Sequence, residues 1–405
     1  MPGVLKIVLV ILFLLILIRK KWDLGLVLFL GTALTALLFR MPLKAFGREV
    51  WAAAKSGETL SLVGIFWLVI YLGRFLQEKG HFKVMVDSLK HLVPEARLIL
   101  ALPPAVIGLL PMFAGAMMSA PIIEEAGSRW KLTPAWKTFF NYWFRHIWEY
   151  SWPLYANLII AAAITGIPIG RISLHQFPFT VLAATLGLII LMKNVAPMDK
   201  EKSDGKTLTA LGSLLLSLWP ILLAILLIFV LRLSMVLSLG IAALATQATS
   251  RMSLKERGKL LLKSLDVKAG LLIVSVMVFK NIMGASGALA SVTQAFPPRG
   301  AGAYALLFAA PFLMGFLTGV NQAFVGISFP MLMPIFGQGR PDIVLVMFAY
   351  VSGFVGILLS PAHLCLATTV EYFQAELKDV YKIMIVPSAI IFGAAFLILL
   401  VFRIL

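Results

Sequence analysis

The chain has 405 residues, of which 60% are apolar and only 13% charged, and its mean hydropathy is +0.97. Soluble domains carry about 45–50% apolar and roughly 25% charged residues, so a water-facing surface and the soluble-enzyme classes do not fit, and lipid is the expected solvent. The net charge of +17 would suggest nucleic acid in a soluble protein, but here the basic residues lie in loops between apolar runs, which points to anionic lipid and membrane topology, with no nucleic-acid partner.

In chain order, the first apolar run, 4–18, ends in Arg19, Lys20 and Lys21 without the small-residue cleavage site of a signal peptide, and reads as a retained helix. Further helix-length runs at about 24–39, 59–76, 138–165, 174–192, 208–231, 233–247, 269–290, 341–370 and 383–402 bring the expected crossings to about ten. Two other segments, about 98–128 and 302–336, are apolar but interrupted midway by Pro, Gly and Ser. They read as re-entrant hairpins, because backbone that leaves the helix at membrane depth is tolerated only where it is buried in protein or lines a wet cavity. The expected fold is an all-α polytopic membrane protein.

The hydrophilic linker 193–207 separates two similar halves, 1–192 and 208–405. Arg40-Met41-Pro42-Leu43-Lys44 recurs as Arg251-Met252-Ser253-Leu254-Lys255, and Trp152-Pro153 as Ser360-Pro361, at offsets of 211 and 208 residues. Each half has an odd number of crossings plus a hairpin that returns to its own side, so the second repeat is expected to be inverted, as in secondary transporters. With both termini outside a cell membrane, the cytoplasmic loops hold 22 of the 35 Lys and Arg residues and the outer segments ten. Segments 40–58 and 248–268 are expected to be amphipathic helices lying on the membrane. Arg74 and Lys280 are expected to snorkel, and Glu124 and Glu125 to be solvated.

The candidate functional residues cluster at the interruptions. Gly115 and Ser119 in the first hairpin, and Asn321, Gln322 and Ser328 in the second, are candidate substrate contacts, since half-helix ends expose N–H and C=O groups at membrane depth. The second tip carries two carboxamides where the first has Met112 and Phe113. The alternative is that all of these are packing devices. Asn141, Arg145, Glu149 and Trp152 share a helical face, with His146 three residues before Glu149. Intramembrane charges are costly and usually face a cavity or a partner. Glu149 is therefore a candidate for the coupling proton, with Arg145 as its ion-pair partner; the alternative is an interfacial aromatic belt. His363 and Glu371, eight residues apart on roughly one face, are the further candidates. The single Cys365 excludes an internal disulfide and any multi-cysteine metal site, and no metal or other cofactor is expected beyond a coupling proton or sodium ion. The sequence has no His-Glu-x-x-His, no Gly-x-Ser-x-Gly and no Walker loop.

Gly108 and Pro111-Met112 through Gly115-Ala116 to Ser119 and Pro121, the run from Asn141 to Tyr150, Ala323 to Pro330, Ser360 to His363, and Thr369 with Glu371 resemble the membrane family called domain of unknown function 401. The resemblance spans nearly the whole chain. It implies the ion transporter superfamily of gluconate, lactate, citrate and dicarboxylate carriers, with a scaffold domain, a moving transport domain bearing two opposed hairpins, and a homodimer. The Ser-Asn-Thr signature of sodium-coupled dicarboxylate carriers is absent. The expected function is secondary active transport of a small organic anion, driven by protons or sodium, through alternating access. A membrane enzyme acting on a lipid-soluble substrate and a passive channel are the alternatives.

Overall fold

A computed structural model describes residues 2–92, 95–109, 115–197, 207–298, 300–337 and 339–403. Among the described residues there is helix and no strand. Backbone groups in lipid have no water to bond, and a helix satisfies them within its own segment.

The first half contains α1 (Gly3–Arg19), α2 (Leu24–Leu38), α3 (Leu43–Lys55), α4 (Gly57–Glu78) and α5 (His81–Leu92). A 3-10 turn (Ala96–Leu100), α6 (Leu102–Gly108), α7 (Ala116–Arg129) and α8 (Pro134–His146) follow. A second 3-10 turn (Ile147–Tyr150) then leads to α9 (Ala156–Thr165) and α10 (Ile169–Asn194). The second half contains α11 (Thr207–Phe229), α12 (Met235–Thr249), α13 (Leu254–Ser264), α14 (Val267–Ala285) and α15 (Ala288–Ala295). It continues with α16 (Ala301–Thr318), α17 (Asn321–Phe336), α18 (Ile343–Leu358), α19 (Leu364–Phe373) and α20 (Leu377–Arg403). Among the described residues each half contributes ten α-helices.

Local sequence sets many of the helix starts. Asp23, Ser56, Asp266 and Asp342 each accept a backbone N–H in the first turn that follows. At α13 Ser253 and Glu256 form a reciprocal capping box.

Among the described residues five helices, α4, α10, α11, α16 and α20, are long and apolar enough to cross a membrane. The apolar helices α2, α9, α12, α17, α18 and α19 are shorter, at 10–17 residues. The apolar run 138–165 is α8, a 3-10 turn and α9, and the run 341–370 is α18 and α19 separated at 359–363, so both are broken, as their prolines lead one to expect. Proline explains both interruptions: Pro153 and Pro361 offer no N–H and their rings crowd the carbonyl four residues back. Two helices that hydropathy does not announce are α5, which lies between two apolar segments, and the short α15. The expected linker is shorter in part, since α10 runs to Asn194; its middle, 198–206, lies outside the described residues, as do Pro111, Met112, Phe113 and Ala114 of the first tip.

Packing between the halves is reciprocal. Helix α2 packs on α14 and α12 on α4; α3 on α14 and α13 on α4; α1 on α15 and α11 on α5. Likewise α9 packs on α17 and α19 on α7, and α8 on α20 and α10 on α18. Within the second half, α16 and α18 cross backbone to backbone: a Cβ on Gly315 would lie 2.3 Å from the Gly353 carbonyl oxygen. Lys280 is only a quarter exposed and bonds the Ala163 carbonyl at 2.7 Å, so it caps the end of α9 instead of simply reaching for the interface. Glu124 pairs with Lys137 at 2.6 Å.

Candidate functional site

Helix breaks from both halves meet around one buried polar cluster. Helix α8 ends at His146, and the 3-10 turn that follows carries Glu149. Pro153 cannot coexist with a regular helical bond to the Glu149 carbonyl, and Tyr350 of α18 donates its hydroxyl to that carbonyl at 2.7 Å. In the opposite direction, Tyr142 of α8 donates to the Leu358 carbonyl at the end of α18, at 3.3 Å. Helix α16 stops where Gly319 takes a left-handed φ of +64°. A side chain there would be strained and would lie 2.5 Å from the Ala362 carbonyl carbon, so only glycine lets the α16 end approach the 360–363 break.

Arg145, His146 and Glu149 are all buried, at 3% exposure or less. Arg145 Nη1 donates to the Tyr155 hydroxyl at 2.7 Å and approaches Glu149 Oε1 at 3.4 Å. Tyr155 donates onward to the Gly108 carbonyl, 2.6 Å away at the end of α6. The other carboxylate oxygen, Oε2, accepts the Asn321 amide at 2.5 Å. A chain of polar contacts thus runs from the end of α6 through Tyr155, Arg145 and Glu149 to the first residue of α17. Asn321 Oδ1 is buried and has no hydrogen-bond partner among the described residues.

Beside this chain, His146 Nε2 lies 3.7 Å from Glu149 Oε1 and 3.1 Å from His363 Nε2. The ligating atoms of His146, His363 and Cys365 lie within 4.8 Å of one another, and all three residues are buried.

The expected residues divide three ways. Arg145, Glu149, Asn321 and His363 are brought together. Ser119 is fully buried and donates to Asn141 Oδ1 at 2.6 Å, while Asn141 bonds the Ala116 carbonyl at 2.8 Å, so the serine ties α7 to α8. Ser328 bonds the Phe324 carbonyl of its own helix. Gly115 is buried just before α7, and Gln322 is half-buried at the second position of α17. Glu371 is exposed on the last turn of α19 and does not share a helical face with His363, because His363 precedes that helix in extended conformation. Asn141 and Arg145 keep a common face within α8, but Trp152 leaves it, since the helix gives way to a 3-10 turn after His146. Sequence reasoning underweighted His146 and missed Tyr155, whose polar role is visible only once the breaks are folded together.

The family model described as "Protein of unknown function (DUF401)" matches residues 2–403. The chain belongs to that family. No curated protein matches it.

Proposed function

We propose that this chain is a secondary active transporter of a small organic anion, working by alternating access around the helix breaks. The observation that carries the reading is the buried Arg145–Glu149–Asn321 contact, drawn from both halves at a point where helices are interrupted. Charges at membrane depth are costly and are kept where they face a partner or a pathway.

The arrangement suggests how anion and proton would travel together. With Glu149 ionised, Arg145 and the Asn321 amide are engaged by its carboxylate. A proton on Glu149 removes that charge, and Arg145 and Asn321 become free to receive a substrate carboxylate in its place, with Asn321 Oδ1 and Gln322 beside it. Binding of the anion then requires the proton, which is symport. Sodium is the alternative coupling ion.

Two further observations support the architecture. Reciprocal packing of corresponding helices is what a two-fold relation between halves produces, and an odd number of crossings in each half puts that axis in the membrane plane. Contacts also join segments that the charge count assigns to the cytoplasm (77–97, 128–137, 193–207 and 248–268): Arg97 bonds the Val195 carbonyl at 3.1 Å, Trp130 the Ala196 carbonyl at 2.9 Å, and Lys263 pairs with Glu78 at 3.1 Å. Two re-entrant hairpins, at α6–α7 and α16–α17, and an elevator-type movement of a transport domain against a scaffold belong to the same proposal.

The test is counterflow in proteoliposomes loaded with a panel of small carboxylates. Saturable, substrate-specific exchange that an imposed pH gradient turns into net uptake is the expected result. Flux that never saturates would make the chain a channel, and chemical conversion without transport would make it an enzyme.

A further inference from the structure

His146 and His363 come from different halves, and each ring is fixed by a backbone carbonyl. His146 Nδ1 lies 2.6 Å from the Tyr142 oxygen, and His363 Nδ1 lies 2.8 Å from the Gly319 oxygen. A carbonyl only accepts, so both Nδ1 atoms carry the hydrogen and both neutral rings present a bare Nε2 lone pair. Those two Nε2 atoms face each other at 3.1 Å. Two lone pairs at that distance repel unless an electrophile lies between them.

We infer that His146, His363 and Cys365 form a binding site for a transition-metal ion of the zinc type. With metal–nitrogen distances of about 2.0–2.1 Å, two nitrogens 3.1 Å apart subtend an angle of about 100° at the ion, close to tetrahedral. The Nδ1–H contacts to carbonyls are the outer bonds that set tautomer and ring orientation in metal-ligating histidines. Cys365 supplies the soft donor, its sulfur within 4.8 Å of both ring nitrogens. It is the second residue of α19, directly after the break that carries His363. Glu149 Oε1, 3.7 Å from His146 Nε2, stands as an outer partner, and a fourth position stays open to water or to a substrate oxygen. Arg145 is the opposing charge nearby; it is held on Tyr155 and Glu149, and the thiolate and carboxylate together offset it and part of the ion's charge. A proton shared by the two nitrogens would also end the lone-pair contact, but it would join only the histidines, whereas an ion uses the third donor as well.

Metal occupancy is read without transport, so this site stands or falls separately from the transporter reading. Full-length protein in detergent, stripped with chelator, is titrated with Co(II). The expected result is one Co(II) per chain with tetrahedral visible bands and a near-ultraviolet sulfur-to-metal charge-transfer band. Cys365→Ser, a near-isosteric change whose monodisperse elution checks the fold, should abolish the charge-transfer band alone. The double variant His146→Gln with His363→Gln should weaken binding by at least about 100-fold, more than the loss of an outer-shell partner produces. Its elution as a monodisperse species checks the fold. Wild-type protein that binds Co(II) no more tightly than the double variant would overturn the site and leave a shared proton between the histidines. Unchanged spectra in the double variant would overturn it by placing the ion elsewhere.

Discussion

Tyr155 and His363 occupy the same place in the two halves, 208 residues apart, each immediately before a ten-residue helix. Each donates to the carbonyl of a glycine at the end of a preceding broken helix, Gly108 for Tyr155 and Gly319 for His363. Tyr142 and Tyr350 are also 208 residues apart; Tyr142 donates to the Leu358 carbonyl at the end of the helix that carries Tyr350, and Tyr350 to the Glu149 carbonyl just beyond the helix that carries Tyr142. The hydrogen-bond framework is therefore duplicated. The charges are not. At the same offset, Arg145, His146 and Glu149 of the first half correspond to Gly353, Phe354 and Ile357 of the second. A second copy of Arg145 and Glu149 would bury two more charges, a desolvation cost that a single pair avoids. The second half contributes instead neutral donors, Asn321 and His363, and the close backbone packing of Gly315 and Gly353.

The strongest way to break this comparison is to remove the charge of the loaded half. Arg145→Gln leaves Glu149 buried without its partner, and should lower stability by about 3–5 kcal/mol and abolish transport. The double variant with Glu149→Gln should recover most of the stability, as read by denaturant or thermal unfolding in detergent, and none of the gradient-driven uptake. Glu149→Gln alone should lose uptake driven by a pH gradient yet keep substrate exchange, because exchange does not return the proton-free carrier. Gradient-driven uptake at the wild-type rate in Glu149→Gln would remove that residue from coupling.

The glycines that end the broken helices come next. Gly319→Ala should cost about 1–3 kcal/mol from its left-handed backbone, plus the clash with the 362–363 backbone. Gly108→Ala meets only the packing penalty, since its Cβ would lie 2.4 Å from the Arg145 carbonyl oxygen but its backbone is helical. A larger loss for Gly108→Ala, measured as the shift of unfolding midpoint, would show that the two ends are not loaded in the order their geometry gives.

The duplicated tyrosines sharpen the comparison on a finer scale. Tyr350→Phe and Tyr142→Phe each remove one hydroxyl donor, worth about 1 kcal/mol. The Tyr350 contact at 2.7 Å should cost more than the Tyr142 contact at 3.3 Å. Tyr350→Phe should also reduce uptake, because the carbonyl it satisfies belongs to Glu149. Equal effects on stability and transport in the two variants would mean that the framework is used symmetrically after all.

Much of this was legible in the sequence because lipid imposes strong rules. The apolar runs, the helix breaks at Pro153 and Pro361 and the close approach of Arg145 to Glu149 follow from composition, proline chemistry and the cost of a charge in hydrocarbon. What was not legible depends on which broken ends meet. Ser119 has the hydroxyl of a binding residue, yet its partner Asn141 lies 22 positions away on another helix. His146 is an ordinary helical histidine until folding places His363 opposite it, 217 positions on. Helical periodicity fails at His146, where α8 becomes a 3-10 turn and the expected common face of Asn141 and Trp152 dissolves.

Glu371 marks the limit of that periodic reasoning, and the smallest expected effect belongs to it. Eight residues from His363, it would share a face with it if one helix held both, and burial there would make it a rival to Glu149 for the proton. His363 instead ends the 360–363 break in extended conformation, and Glu371 is exposed near the end of α19. An exposed carboxylate keeps its water, so Glu371→Gln removes a charge without stranding a buried counter-charge, and the change in stability should be within about 0.5 kcal/mol. The pH dependence of uptake should match wild type, because no group in the polar cluster loses a partner. A shifted pH profile in Glu371→Gln, with Glu149→Gln unchanged, would transfer the proton from the first half to the second and reverse the asymmetry between them.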